Sequence, residues 1–165
     1  MEKPHKKRTG QTPALANIPA FMMDRMGFLL NRSAQRIREM VEEGLRPFGL
    51  TGKHLGILAI IQEDGALPQQ EIGKCMYVDR STMVQLIDDL EKSKLVERKD
   101  NPEDRRAHSL VLTAKGRETL PKALQLALQA EKEFLQGLVP KDQKELMRIL
   151  KQLVLHHYSS KTKTV

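Results

Sequence analysis

Apolar residues recur at helical spacing almost throughout this chain, and the single interruption of that rhythm constrains the fold most. Between Leu95 and Leu112 the pattern shortens to two β-like runs, Leu95–Lys99 and Ala107–Leu112. They flank a polar, turn-forming stretch, Asn101-Pro102-Glu103-Asp104-Arg105-Arg106. From Glu97 to Arg106 only Asn101 and Pro102 are uncharged. The interruption therefore reads as one hairpin with a charged tip, set into an otherwise helical chain.

The helices on either side are marked by their caps and stops. A long helix over about 19–46 starts near Pro19 and ends near Pro47. It carries Met22, Met26, Leu29, Leu30, Ile37, Met40, Val41 and Leu45 on one stripe. Thr51 caps the next helix, with Leu55, Leu58 and Ile61 inward and Gly65 as its stop. Leu67-Pro68 is expected to open a short helix whose inner face is Ile72, Gly73 and Met76, with Gly73 allowing close helix approach. Tyr77-Val78 forms a turn, Val78 being its apolar anchor, and Asp79 caps a helix that buries Met83, Leu86, Ile87 and Leu90. After the hairpin, Thr113 caps a helix over about 114–138 with Leu120, Leu124, Ala127, Phe134 and Leu138. A last helix, about 141–157, carries Leu146, Ile149, Leu150 and Leu153.

This order predicts a mainly α fold with a small β-hairpin wing. Residues 51–113 have the parts of a winged helix-turn-helix. Residues 19–50 and 114–158 are long amphipathic helices with more leucine than one small domain covers, so they are expected to meet and form a helical dimerisation lobe. Residues 1–18 and 159–165 are expected to be tails, the first basic and disordered.

Composition excludes several classes. No apolar stretch approaches the length of a membrane span, and no apolar signal core follows the basic N-terminus, so a cytoplasmic protein is expected. The single cysteine, Cys75, forms no internal disulfide framework and is expected to be a buried or half-buried inert thiol. Scattered histidines leave no zinc-type ligand spacing, and none of the common catalytic or phosphate-binding motifs is present. No catalytic residue, metal or cofactor is expected. The net charge of +7 is a poor guide to a partner, because residues 51–116 hold ten Lys/Arg against eleven Asp/Glu. Any case for nucleic acid depends on where individual charges point.

Two places make that case. On the helix after Asp79, the face opposite the apolar stripe carries Ser81, Gln85 and Asp88, flanked by Thr82, Val84 and Asp89, with Arg80 in the first turn. Short polar side chains on such a face reach base edges in a major groove. Gln85 suits an adenine edge, Val84 or Thr82 a thymine methyl, and Ser81 and Thr82 suit phosphates. A plain solvated polar face is the alternative. In the hairpin tip, Asp104 and Arg106 stand at i and i+2, on one side of an extended strand. The carboxylate can hold the guanidinium in one orientation, suited to a minor groove. Arg105 faces the other way, toward a phosphate or its own scaffold.

The run Val78-Asp79-Arg80-Ser81-Thr82-Met83-Val84-Gln85-Leu86-Ile87-Asp88-Asp89-Leu90-Glu91 resembles the MarR (multiple-antibiotic-resistance regulator) family. So do Leu95-Val96-Glu97-Arg98, Asn101 to Arg106, and Leu112-Thr113-Ala114-Lys115-Gly116. The resemblance extends from about Phe21 to His157. It implies a homodimeric transcription factor, usually a repressor, that binds pseudo-palindromic double-stranded DNA and often answers to small aromatic or anionic effectors. By the family pattern Asp104 and Arg106 are the wing Asp-x-Arg, while Ser81, Thr82, Val84 and Gln85 occupy recognition-helix positions. The chain departs from many relatives in having Gln85 and Asp89 where they have arginines. Family ligand clefts would here be lined by Met22, Met23, Met26 and His54, although methionines at helical spacing are usually core and a histidine at a helix start is usually exposed. A winged-helix module for protein contacts, or a regulator without a small-molecule ligand, is the alternative.

Overall fold

The computed structural model describes residues 18–100 and 108–159, with backbone alone for Asp100, His108, Tyr158 and Ser159. In order, the elements are α1 (Ala20–Met23), α2 (Met26–Leu45), a 3-10 turn (Arg46–Phe48), α3 (Gly52–Asp64), β1 (Leu67–Pro68), α4 (Gln69–Met76) and α5 (Arg80–Lys92). There follow β2 (Val96–Asp100), β3 (His108–Leu112), α6 (Ala114–Phe134), a second 3-10 turn (Leu135–Gly137) and α7 (Pro140–Ser159). The expected tails lie almost wholly outside the described residues.

Capping decides where the central helices begin, and the three marked caps all form. The Thr51 hydroxyl accepts from the His54 backbone N–H at 3.4 Å. The Asp79 carboxylate accepts from Thr82 N–H at 2.9 Å, and the Thr113 hydroxyl from Gly116 N–H at 3.0 Å. Each satisfies a donor that a helix N-terminus otherwise leaves open.

Three expectations need correction or extension. The first long helix is two: α1 ends at Met23 and α2 begins at Met26, although no proline or glycine occupies Asp24 or Arg25. Leu67-Pro68 leads into the expected short helix, with Pro68 as the N-cap of α4, but the two residues also form an unexpected third strand, pairing antiparallel with β3 at Leu67↔Leu110 and Pro68↔Ser109. Sheet order is β1-β3-β2, so Pro68 sits on an edge, where a missing N–H is tolerated. The helix from Ala114 stops at Phe134, four residues early, and tightens into the 3-10 turn before Pro140.

The chain divides into two compact units, residues 1–36 and 37–165. In the first, no described residue is buried, and Phe21 and Met26 are exposed. The second holds the core: Leu45, Ile57, Leu58, Ile72, Met83, Ile87, Leu90, Leu95 and Leu110 are essentially without solvent contact. Burial of each such side chain contributes about 1.5–3 kcal/mol. Helices α3, α4 and α5 and the sheet supply nearly all of these residues. By contrast, no described residue of α7 is buried.

Candidate nucleic-acid interface

Helix α4 ends at Tyr77, whose left-handed backbone (φ 51°) turns the chain toward α5. Val78 N–H closes the turn on Gly73 O at 3.1 Å, and the Val78 side chain packs against the core. Gly73 is buried, yet an added Cβ there would make only ordinary contacts, 3.5 Å at the nearest. Close approach at Gly73 is therefore not what the turn depends on.

Helix α5 divides as its sequence pattern predicts. Met83, Leu86, Ile87 and Leu90 are buried, while Arg80, Ser81, Val84 and Gln85 are exposed. Thr82, Asp88 and Asp89 are half-buried. The polar face is not a row of free groups. The Ser81 hydroxyl donates to Asp79 Oδ1 at 2.5 Å and the Thr82 hydroxyl to Asp79 Oδ2 at 2.6 Å. Those hydrogen bonds, Ser81 first, hold the Asp79 carboxyl well below the usual carboxylate range. Both hydroxyl protons thus serve the helix cap in the free protein. Gln85 Nε2 donates to Asp89 Oδ1 at 3.0 Å, which orients the amide and leaves its second N–H and its oxygen outward. Arg80 makes no ion pair with another described residue.

Arg98 is the part of the site that sequence reasoning missed. From β2 its guanidinium reaches Asp88 at 2.9 Å and also binds Glu91, both on α5. The Asp88 hydrogen bond is the largest cause of its raised pKa. Asp88 and Glu91 at i and i+3, followed by a cation on the next strand, are the signal the sequence carries for it. The effect is to neutralise two carboxylates on the later half of α5.

The hairpin is antiparallel, with Val96↔Leu112, Arg98↔Leu110 and Asp100↔His108 in register. Asp104, Arg105 and Arg106 lie in the connection 101–107, outside the described residues.

The four residues expected at a ligand cleft fall into both units. Met22 is half-buried, and Met23 and Met26 are exposed, in the first. His54, in the second, is 7% exposed, so the usual exposed histidine is not what is found. Its Nδ1 accepts from Thr51 N–H at 3.1 Å, completing a reciprocal capping box. That bond places the ring proton on Nε2, which is buried without a partner among the described residues. Burial lowers the His54 pKa, against the charge of Asp89. Cys75 is exposed, not buried: α4 turns Ile72 and Gly73 inward and Cys75 outward. Among the described residues no cluster of possible metal ligands occurs, and no helix is long and apolar enough to cross a membrane.

A capped helix with a polar outer face, delivered by a helix-turn-helix and followed by a paired hairpin, defines a winged helix-turn-helix protein. Comparison with known proteins narrows the class. A family model described as the MarR family matches residues 48–107. The uncharacterized HTH-type transcriptional regulator YkoM of Bacillus subtilis is 30% identical over 75% of this chain and 77% of its own. The HTH-type transcriptional repressor NicR of Pseudomonas putida is 24% identical over 90% of this chain and 94% of its own. Among solved structures, the transcriptional repressor CouR bound to a 23-mer DNA duplex is 29% identical, with a TM-score of 0.76 over 82% of this chain and 96% of that one. The chain belongs to the MarR family of DNA-binding transcriptional regulators.

Proposed function

We propose that this regulator is a homodimeric repressor of a pseudo-palindromic operator, released by a small aromatic or anionic ligand. The observation that carries the reading is the division of α5. Its apolar half is wholly committed to the core, and Arg80, Val84 and the oriented Gln85 amide stand outward. In this reading α5 enters the major groove, with Gln85 at an adenine edge and Val84 against a thymine methyl. Ser81 and Thr82 hold the helix start through Asp79 and approach a phosphate there. Arg80 and Arg105 meet phosphates, and Arg106, steadied by Asp104, enters the minor groove.

Exposed apolar surface supports the two-copy reading. Leu128, Val154 and Leu155 are more than half exposed in a single chain, as are Phe21 and Met26. Residues 19–50 and 114–158 form the dimer region in this reading, and 51–113 the DNA-binding region. NicR and CouR are both named as repressors, which supports that sign of regulation. Met22, Met23, Met26 and His54 are the residues proposed to meet an effector. A polarizable methionine set suits aromatic rings of varied shape.

The test is anisotropy titration of a duplex selected from random DNA, repeated across salt concentrations. Arg106→Ala and Arg80→Ala should each lower the salt slope by about two, one for each copy on the duplex. If Arg106→Ala leaves both affinity and slope unchanged, the wing assignment is wrong. An aromatic carboxylate that raises the melting temperature should also weaken operator binding. One that stabilises the protein and leaves operator affinity alone would refute the release mechanism.

A further inference from the structure

Helix α5 is held at its far end by the start of α6. After Lys92 the chain closes the helix through Ser93 and Lys94, the latter left-handed at φ 59°. Lys94 N–H bonds Glu91 O at 2.8 Å and Leu95 N–H bonds Leu90 O at 2.9 Å. Three successive carbonyls then accept donors from α6 and its cap. Lys115 Nζ donates to Ser93 O at 2.9 Å, and the Thr113 hydroxyl to Lys94 O at 2.6 Å. Thr113 N–H donates to Leu95 O at 3.1 Å. The same Thr113 hydroxyl caps α6 by accepting from Gly116 N–H. One side chain therefore ends one helix and begins the other.

Gly116 shows how close this contact is. A Cβ there would stand 2.1 Å from Leu95 O and 3.1 Å from Leu95 C, both backbone atoms that cannot rotate away. Reaching ordinary contact, which begins at 3.4 Å, needs a backbone shift of more than an ångström. Gly116 is required by space; its backbone is ordinary helix. On the other side Arg117 Nη1 donates to Leu112 O at 2.6 Å and ties α6 to β3.

We propose that Thr113, Lys115 and Gly116 are positioning residues that make a rigid joint between the recognition helix and α6, and so set the half-site spacing the dimer accepts. The inference rests on the two-copy reading above. No hinge remains at the junction, because each carbonyl of the turn is bonded to α6 or its cap. Helix α5 extends about 20 Å from the joint. A tilt that opens the joint slightly therefore moves the DNA-facing end further than it moves the joint.

The experiment uses the full chain and a duplex selected by it from random DNA, together with versions having one base pair added or removed at the centre. The unaltered protein should lose about tenfold or more in affinity at either altered spacing. Thr113→Val, Lys115→Met and Gly116→Ala should bind the selected duplex roughly five- to tenfold more weakly and discriminate spacings by no more than about twofold. Thr113→Ser, which keeps the hydroxyl, should restore the sharp profile. Variants that keep the sharp profile, with affinity scaled only by their folded fraction, would overturn the joint. If Gly116→Ala does not fold, Thr113→Val and Lys115→Met still decide the question. An unaltered protein indifferent to spacing would overturn both the two-half-site reading and the joint. A discriminating protein with equally discriminating variants would overturn the joint alone.

Discussion

Helices α5 and α7 are both amphipathic, yet they fare differently in the single chain. Every apolar residue on the inner stripe of α5 is at most 9% exposed. On α7, Met147, Ile149, Leu153, Val154 and Leu155 are all at least 41% exposed. An amphipathic pattern says only that a helix has a face to cover. Helix α5 covers it against α3, α4 and the sheet, and its polar face is left for a different partner. Helix α7 leaves these residues open, which is what the proposed second copy would cover.

The largest effect that can break this contrast is in the core. Ile87→Ala should lower stability by about 2–4 kcal/mol in urea denaturation, because it leaves a cavity in a packed site. An equal loss from Leu155→Ala in dilute monomer would erase the distinction between the two helices. Next is Leu155→Asp. It should leave the far-ultraviolet circular dichroism intact, shift sedimentation from dimer to monomer, and weaken operator binding by about a hundredfold. A Leu155→Asp protein that remains dimeric would remove α7 from the interface.

Smaller effects sharpen the α5 side. Arg98→Gln should weaken DNA binding several-fold, since Asp88 and Glu91 then face phosphates uncompensated. Most of that loss should return at high salt relative to the unaltered protein, where screening mutes the repulsion. An unchanged affinity would make Arg98 a purely internal brace. The smallest effect is a pH dependence at His54. Its folded pKa lies below the ordinary 6.5, so below that pH the unfolded chain takes up a proton that the folded chain does not. Stability should therefore fall as pH drops beneath 6.5, until the folded pKa is reached. His54→Gln should flatten that part of the melting-temperature profile, while keeping an acceptor for the Thr51 N–H.

Local signals in the sequence were sufficient for the marked caps and for the stripe of α5, though not for the break between α1 and α2. Thr51, Asp79 and Thr113 cap their helices, and the stripe on α5 is buried, because caps and stripes are written within one helical turn. Much of what escaped is non-local. The pairing of Leu67-Pro68 with β3 joins residues more than forty apart in sequence, and two residues carry no strand pattern of their own. The Arg98 clamp joins a strand to a helix. Gly116 and Gly73 look alike in sequence, and only the nearby Leu95 carbonyl makes the first indispensable. Residue type alone suits Ser81 and Thr82 to phosphates, but their bonds to Asp79 in the free protein depend on rotamers that the sequence does not fix. His54 was legible as a helix-start residue but not as the buried half of a capping box.

The central claim is that two copies present two α5 helices to half-sites about one DNA turn, near 34 Å, apart. Native mass spectrometry of the chain with a selected palindromic duplex, and with the half-site alone, tests it directly. The account predicts two chains on the palindrome and binding to the half-site weaker by about a hundredfold. One chain per duplex, with palindrome and half-site bound equally well, would contradict it.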